Sequence, residues 1–329
     1  MDIAIISVTE QGDSIAKKIS LNIKSFIYFK KDVKKLKLSN ITKEVFEKYR
    51  KIIFIASTGI AVRAIAPYIK SKDKDPAVIV IDSTGRFVIS LLSGHLGGAN
   101  EFTEKVAHLI SAQPIITTAT DNLGITAPDV IAKNNNLVIE NLKCAKDISS
   151  RLVHGEKIIF IDDKNLIKNP KGYVSNKEQL ENITGSVYVT NKIKYLKNHQ
   201  VPSLKLIRRD IVLGIGCRKN YDSEKMKGTV LKFLQENNID YRSVKVVSTV
   251  EIKKNEKAII NLAQFLNADL KIFLVEEIRK IQHKYVGSNF VEKAIGIRAV
   301  CEPCVELSKA KIIVEKQKCE GMTISIGIL

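Results

Sequence analysis

The chain has 329 residues, enough for two or three domains with cores of their own, and its 45% hydrophobic content fits a folded soluble protein. Lys+Arg of 53 against Asp+Glu of 35 leaves a net charge of +18, which favours an acidic partner. With 6% aromatic residues, no tryptophan and no basic run interleaved with aromatics, a nucleic-acid groove is disfavoured. A small polyanionic ligand or a lysine-rich solvated surface stays open.

The start, Met1 to Ala4, lacks the basic segment and long apolar run of a signal peptide, so none is expected. Ile3 to Val8 has the composition of a buried strand, with a helix expected from about Ser14. Lys51 to Ala56 repeats that pattern, followed by Ser57-Thr58-Gly59 and a helix Ile60 to Tyr68. The helix is apolar almost all round, which predicts burial. Its Arg63 is either a paired core charge or a carboxylate clamp, for which its bidentate fork is suited. Ser57 to Gly59 and Arg63 also interrupt the longest apolar region, Ile52 to Ile69, so no membrane span is expected.

Asp73-Lys74-Asp75-Pro76 marks a turn before a strand Ala77 to Asp82, which Asp82-Ser83-Thr84-Gly85 folds into a hairpin with Phe87 to Leu92. Next comes Ser93-Gly94-His95-Leu96-Gly97-Gly98-Ala99-Asn100, leading into a helix whose Phe102, Val106, Leu109 and Ile110 share a face. Glycines let backbone approach a ligand closely, the free N–H groups of a helix start favour negative charge, and an imidazole can move a proton near neutral pH. The spacing fits a tight turn with a solvated histidine equally well. Pro114 to Asp121 reads as a strand ending in hydroxyls and a carboxylate, and Thr126-Ala127-Pro128-Asp129 as a capped helix start. Four such strand-loop-helix units predict a mainly parallel sheet whose strand ends converge at one edge, bringing Thr9, Thr58, His95 and Asp121 into one cleft.

From Leu137 to Asp210 the motifs thin out. A helix near Ala145 to Val153 and strands Lys157 to Ile161, Ser186 to Thr190 and Leu204 to Arg208 predict a small α/β module, read as a spacer. A further domain opens at Asp210 with the strand Ile211 to Arg218. Its turn has Lys219 where a dinucleotide fingerprint needs a third glycine, which disfavours a Rossmann cofactor. Ser223-Glu224 caps a long helix. Val247 to Thr249, Glu256 to Leu266, Leu270 to Leu274, Ser288 to Val291, Ala299 to Lys309 and a final strand Thr323 to Ile328 complete a second α/β domain. Cys217 reads as a buried small residue more readily than as a nucleophile, and Arg218 as the better functional candidate. Cys301 and Cys304 have metal-ligand spacing without a second pair or nearby histidine, so two small helix residues are the preferred reading. The odd count of five cysteines suits a reduced cytoplasm. The expected class is therefore α/β: an N-terminal domain 1–136 with a mainly parallel sheet and flanking helices, a linker-like α/β module 137–209, and a C-terminal α/β domain 210–329.

Several stretches together resemble the cobalt-precorrin-5A hydrolases of anaerobic cobalamin biosynthesis, the CbiG family. They are Thr58 to Arg63 with Ala66-Pro67, Asp75 to Val78, Ser90 to Asn100, Thr117 to Asp121, Gly214 to Arg218, Ser248-Thr249 with Lys253 and Glu256, Ser288-Asn289-Phe290-Val291, and Val300 to Pro303. Ser90 to Asn100 is the most specific. Ala61, where the family often has valine, and Cys304 and Glu306, where it has small or apolar residues, depart from the pattern. The resemblance implies opening of the ring A acetate δ-lactone of a cobalt-corrinoid, with loss of acetaldehyde. Cobalt would arrive inside an anionic substrate, with no separate cofactor and no protein metal site. Implied catalytic residues are His95 as base and Glu101 or Asp121 for the freed alcohol, with N–H groups of Gly97, Gly98 and Ala99 receiving the oxyanion. Thr58, Gly59, Ser93, Gly94, Asn100, Thr120, Thr249 and Glu302 are implied substrate contacts. Arg63, Arg218 and Lys253 are implied to hold individual carboxylates. A homodimer and hand-over contacts with neighbouring pathway enzymes are further expectations. The competing readings are a non-catalytic tetrapyrrole carrier using the C-terminal domain and, on charge alone, a nucleic-acid binder.

Overall fold

The computed structural model describes residues 2–71, 74–95, 97–119, 123–175, 182–195, 200–287, 292 and 296–329. Two compact units divide it: Met1–Lys133 with Leu152–Gly155 and Pro170–Gly172, and the rest of the chain. The first unit holds β1 (Ile3–Ser7), β2 (Phe26–Tyr28), β3 (Lys51–Ile55), β4 (Ala77–Ile81), β5 (Phe87–Leu92) and β6 (Gln113–Ile115) in one sheet, order β2-β1-β3-β4-β5-β6. Its helices are α1 (Glu10–Ser20), α2 (Lys30–Leu36), α3 (Leu38–Lys48), α4 (Thr58–Ile65), α5 (Ala99–Ile110) and α6 (Pro128–Asn134).

β1, β3 and β4 are parallel and nearly wholly buried, as unbroken apolar runs require of strands covered on both faces. Alternation sorts their side chains into two cores. Ile5, Ile53, Ile55, Ile79 and Ile81 meet Ala16 and Ile19 of α1 and Phe102, Val106 and Ile110 of α5. Ala4, Ile6, Ile52, Phe54, Val78 and Val80 meet Ile41 and Val45 of α3 and Ala61 and Ile65 of α4.

Three expectations shift here. α1 starts at Glu10 rather than Ser14, because the Thr9 hydroxyl accepts the Gly12 N–H at 3.0 Å and caps it. α4 is not buried all round: it buries Ala61 and Ile65 against the sheet with Ala64 partly buried beside them, and Ile60 and Val62 remain 38% and 46% exposed. A helix packed on one side of a sheet buries one stripe, whatever its other faces carry. β6 stops at Ile115 rather than running on to Asp121, and the chain leaving it carries Thr118 to Asn100.

The second unit contains two sheets. One has β7 (Leu137–Ile139), β8 (Ile158–Asp162), β9 (Val174–Ser175), β10 (Gly185–Thr190) and β11 (Ser203–Arg208), order β7-β11-β10-β8-β9, with α7 (Leu142–Val153) beside it. The other has β12 (Ile211–Cys217), β13 (Val244–Val250), β14 (Asp269–Phe273), β15 (Lys311–Cys319) and β16 (Met322–Ile328), order β14-β13-β12-β16-β15. One face packs on α8 (Ser223–Glu236) and α9 (Lys257–Phe265) through Met226, Val230, Ile259 and Leu262. The Asp222 side chain, not Ser223, caps α8 by accepting the Lys225 N–H at 2.7 Å. α10 (Val275–Ile281) and α11 (Cys301–Leu307) follow. A Cβ at Gly214 would lie 1.9 Å from the Cys301 carbonyl oxygen, so only glycine lets α11 sit this close to β12. Cys301 and Cys304 are buried in α11. Burial pushes the Cys301 thiol up to about 11 and Cys304 higher still, the state of packed side chains rather than ligands. Among the described residues no group of three or more His, Cys, Asp or Glu is placed to hold a metal ion, and no helix is long and apolar enough to cross a membrane.

Candidate active site

The β4–β5 hairpin decides where the histidine loop lies. Asp82 accepts the Phe87 N–H at 2.7 Å and the Thr84 N–H at 3.0 Å, and Gly85 takes the left-handed φ of 72° that the tight turn requires. Burial raises the Asp82 carboxyl, but the Thr84 hydroxyl and these N–H groups outweigh it and hold the group below the usual carboxylate range. β5 therefore runs back along β4, pairing Val88 with Ile81 and Leu92 with Val78. Its C-terminal end, and that of β6, which is parallel to it, reach the edge where β1, β3 and β4 begin. The expected shared cleft is thus corrected. Thr9 and Thr58 follow the ends of β1 and β3 at the opposite edge from His95, and Asp121 lies outside the described residues.

At the histidine edge a chain of polar contacts ties the loop down. The Ser90 hydroxyl lies 2.6 Å from Asn100 Oδ1 and donates to it, and Asn100 Nδ2 donates to Thr118 Oγ1 at 3.1 Å. Ser93 bends the backbone through a φ of 58°, and its hydroxyl donates to the Asp75 carbonyl at 3.2 Å. A Cβ at Gly94 would lie 2.7 Å from Asn100 Oδ1, so glycine leaves room for that amide.

The same ordering engages two of the three amides expected to receive an oxyanion, those of Gly98 and Ala99. Gly98 N–H donates to the His95 carbonyl at 3.0 Å, Ala99 N–H to Ser93 at 3.1 Å and Asn100 N–H to Gly94 at 3.1 Å. The expectation for Gly98 and Ala99 is therefore corrected: both N–H groups already donate to carbonyls of the loop itself, as buried backbone donors require a partner.

α6 supplies what the loop lacks. Pro128 sits at its first position, and Asp129 in its first turn places Oδ2 3.4 Å from His95 Nδ1; the two side chains are 22% and 15% exposed. Burial alone would raise the Asp129 carboxyl. The His95 hydrogen bond and charge, with the Val130 and Asp129 N–H groups, outweigh it and hold the group below the usual carboxylate range. One helical turn on, Lys133 Nζ lies 3.2 Å from Glu101 Oε2 and so close to Gly98 that a Cβ there would be 2.8 Å from it. Nothing in the sequence around Asp129 and Lys133 marks them as functional. The available signal was the Pro128-Asp129 helix start, which reads as a cap alone.

The remaining expected contacts are dispersed. Thr58, Gly59 and Arg63 are exposed on α4, and nothing lies within 4 Å of a Cβ built at Gly59. Thr120 and Ser288 to Val291 lie outside the described residues. In the second unit Thr249 is fully buried and its hydroxyl donates to the Ile215 carbonyl at 2.8 Å, which removes it as a substrate contact. Glu302 is buried, with Oε1 accepting the Lys316 N–H at 3.2 Å. Lys253 Nζ is 3.7 Å from Glu256, itself fixed by the Tyr221 N–H. Arg218 is exposed, its side chain lying over Gly321. Burial pushes the Cys217 thiol up to about 11 against the pull of Lys253, which suits no nucleophile.

Three family models match in chain order: Cobalamin synthesis G N-terminal over residues 40–121, the Cobalamin biosynthesis central region over 126–205 and Cobalamin synthesis G C-terminus over 211–327. Over 299 residues the chain is 34% identical to the cobalt-precorrin-5A hydrolase of Salmonella typhimurium, covering 88% of this chain and 85% of that protein. The chain belongs to the CbiG family. The cobalt-precorrin-5A hydrolase of Priestia megaterium is 30% identical over 356 residues, covering 100% and 95% of the two chains. A solved structure of a cobalamin biosynthesis protein G homolog from Sulfolobus solfataricus aligns with 99% of this chain and 97% of its own, at 21% identity and a TM-score of 0.42. In this CbiG chain His95 falls in the N-terminal match and Asp129 in the central one, yet both belong to the first compact unit.

Proposed function

We propose that this chain hydrolyses cobalt-precorrin-5A in the anaerobic route to cobalamin, opening the ring A acetate δ-lactone and releasing acetaldehyde to give cobalt-precorrin-5B. Family membership supplies the reaction. The observation that carries the chemistry is the His95–Asp129 pair, a histidine of the glycine-bearing loop 3.4 Å from a carboxylate of α6. With Nδ1 turned to the carboxylate, the lone pair of the neutral imidazole is on Nε2, the arrangement of an oriented general base. Water attacks the lactone carbonyl carbon and gives its proton to Nε2, while Asp129 stabilises the imidazolium. The acyl–oxygen bond then breaks, and the departing alkoxide takes the proton back. Loss of the proton from that alcohol breaks the adjacent carbon–carbon bond. Acetaldehyde leaves, and the electron pair left on the ring carbon takes up a proton. Glu101, mostly exposed beside Lys133, is the base assigned to this second stage, with Asp121 the other candidate.

The +18 charge supports attraction of a substrate carrying many carboxylates. Within their own units Arg63, Arg218 and Lys253 are the cations assigned to individual acids. The odd cysteine count supports a reduced cytoplasm as the compartment of the reaction.

The purified protein, given cobalt-precorrin-5A without oxygen, should release acetaldehyde that a hydrazine traps, and His95→Ala should slow release at least about 100-fold. An unchanged rate in that variant removes His95 as the base. Tight corrinoid binding without any acetaldehyde would make the chain a carrier instead.

A further inference from the structure

The loop's own amides are mostly engaged. A lactone carbonyl under attack develops a negative oxygen that needs a donor, and the amides of Gly98, Ala99 and Asn100 already donate within the loop. A cation stands beside Gly98, one of the residues expected to act. Lys133 Nζ packs against Gly98, whose φ of 80° and missing Cβ together leave room for it. Asp129 and Lys133 are four residues apart on α6, hence neighbours on one helix face about 6 Å apart at Cβ. The first reaches His95 and the second reaches Gly98, so an acyl group between base and ammonium would be bracketed by the two. The counter-ion of Lys133 is loosely held: Glu101 is 80% exposed, with Oε2 3.2 Å from Nζ. Exposed pairs of this kind contribute only about 0–1 kcal/mol, so a substrate can displace it.

Resting on the lactone-hydrolase reading, we infer that Lys133 is a catalytic residue of the ring opening. As the water oxygen bonds to the carbonyl carbon, the carbonyl π pair moves onto its oxygen, and Lys133 Nζ donates a hydrogen bond to that oxyanion. Glu101, released by this exchange, becomes the carboxylate available for the second stage. The ammonium keeps its proton throughout, and no other reactant is required.

The test compares the parent, Lys133→Met and Lys133→Arg, with acetaldehyde release giving kcat and corrinoid absorbance titration giving substrate Kd. Loss of one oxyanion donor costs about 100- to 1,000-fold in kcat. Lys133→Met should fall in that range with Kd within about threefold of the parent, and Lys133→Arg should recover at least about tenfold. Lys133 is partly exposed, so unchanged thermal melting is expected for both variants. A weaker Kd with unchanged kcat would make Lys133 a carboxylate anchor and overturn the inference, as would parental kinetics in Lys133→Met. In both cases His95→Ala would still be slow. A parent that releases no acetaldehyde overturns the underlying reading as well.

Discussion

Replacing Asp129 with asparagine removes one negative charge beside His95 and leaves the volume almost unchanged. At the observed 3.4 Å, two unit charges interact by about 5 kcal/mol at an effective dielectric of 20 and by about 1 kcal/mol in bulk water. Side chains 15–22% exposed lie between these limits. About 2.7 kcal/mol of lost imidazolium stabilisation corresponds to a 100-fold fall in kcat. The amide can also turn its NH2 toward the ring and favour the wrong tautomer, which lowers the rate further. In anaerobic acetaldehyde-release assays Asp129→Asn should therefore lose about 100-fold or more in kcat, with Kd little changed. The base acts when neutral, and removing its carboxylate favours that form. The acidic limb of the kcat/KM profile should accordingly move to lower pH. Asp129→Glu should restore part of the rate. Turnover of Asp129→Asn at the parental rate, with the acidic limb in place, would refute Asp129 as the group that orients the base.

Gly94→Ala puts a Cβ 2.7 Å from Asn100 Oδ1 and should disrupt the Ser90–Asn100–Thr118 chain, lowering kcat at least about tenfold and stability by about 1–3 kcal/mol in urea titration. Asp162→Ala strips the buried Arg208 of its carboxylate and should cost about 3–5 kcal/mol by chemical denaturation. Burial raises Asp162, but Arg208 and the Ile167 and Lys164 N–H groups outweigh it and leave the folded-state carboxyl low. Its stabilisation is present above the unfolded carboxylate value of about 4 and lost as pH falls through the lower folded value. Asp162→Asn should flatten that acid-side decline. Disulfide-exchange reagents at neutral pH should spare Cys301 and Cys304 until the protein is unfolded, since both are buried with raised thiols; rapid labelling of either in the native protein would contradict the packing of α11.

Ile, Val and Phe runs identified β1, β3, β4, β5 and β12, and 3.6-residue periodicity identified α5, because buried strands and amphipathic helices leave periodic marks on a single stretch of chain. The same local reading placed a histidine in a glycine-bearing loop. β7, β15 and α10 left weaker marks. Edge strands and half-exposed helices take their place from partners rather than from their own apolar content: β7 pairs with β11 and β15 with β16.

The sequence by itself determined the α/β class, the family and the histidine loop, since each depends on residues close together in the chain. The hairpin was legible in Asp82 to Gly85, but only the tertiary structure showed that β5 and the parallel β6 both run against β4 and so carry the loop to the opposite edge of the sheet. It also decided that Thr9 and Thr58 lie at the other edge, that the loop's amides close on its own carbonyls, and that Asp129 and Lys133 reach the loop from α6. Hydrogen-bond partners and facing charges follow from strand direction and helix placement, and no local run of residues carries that information.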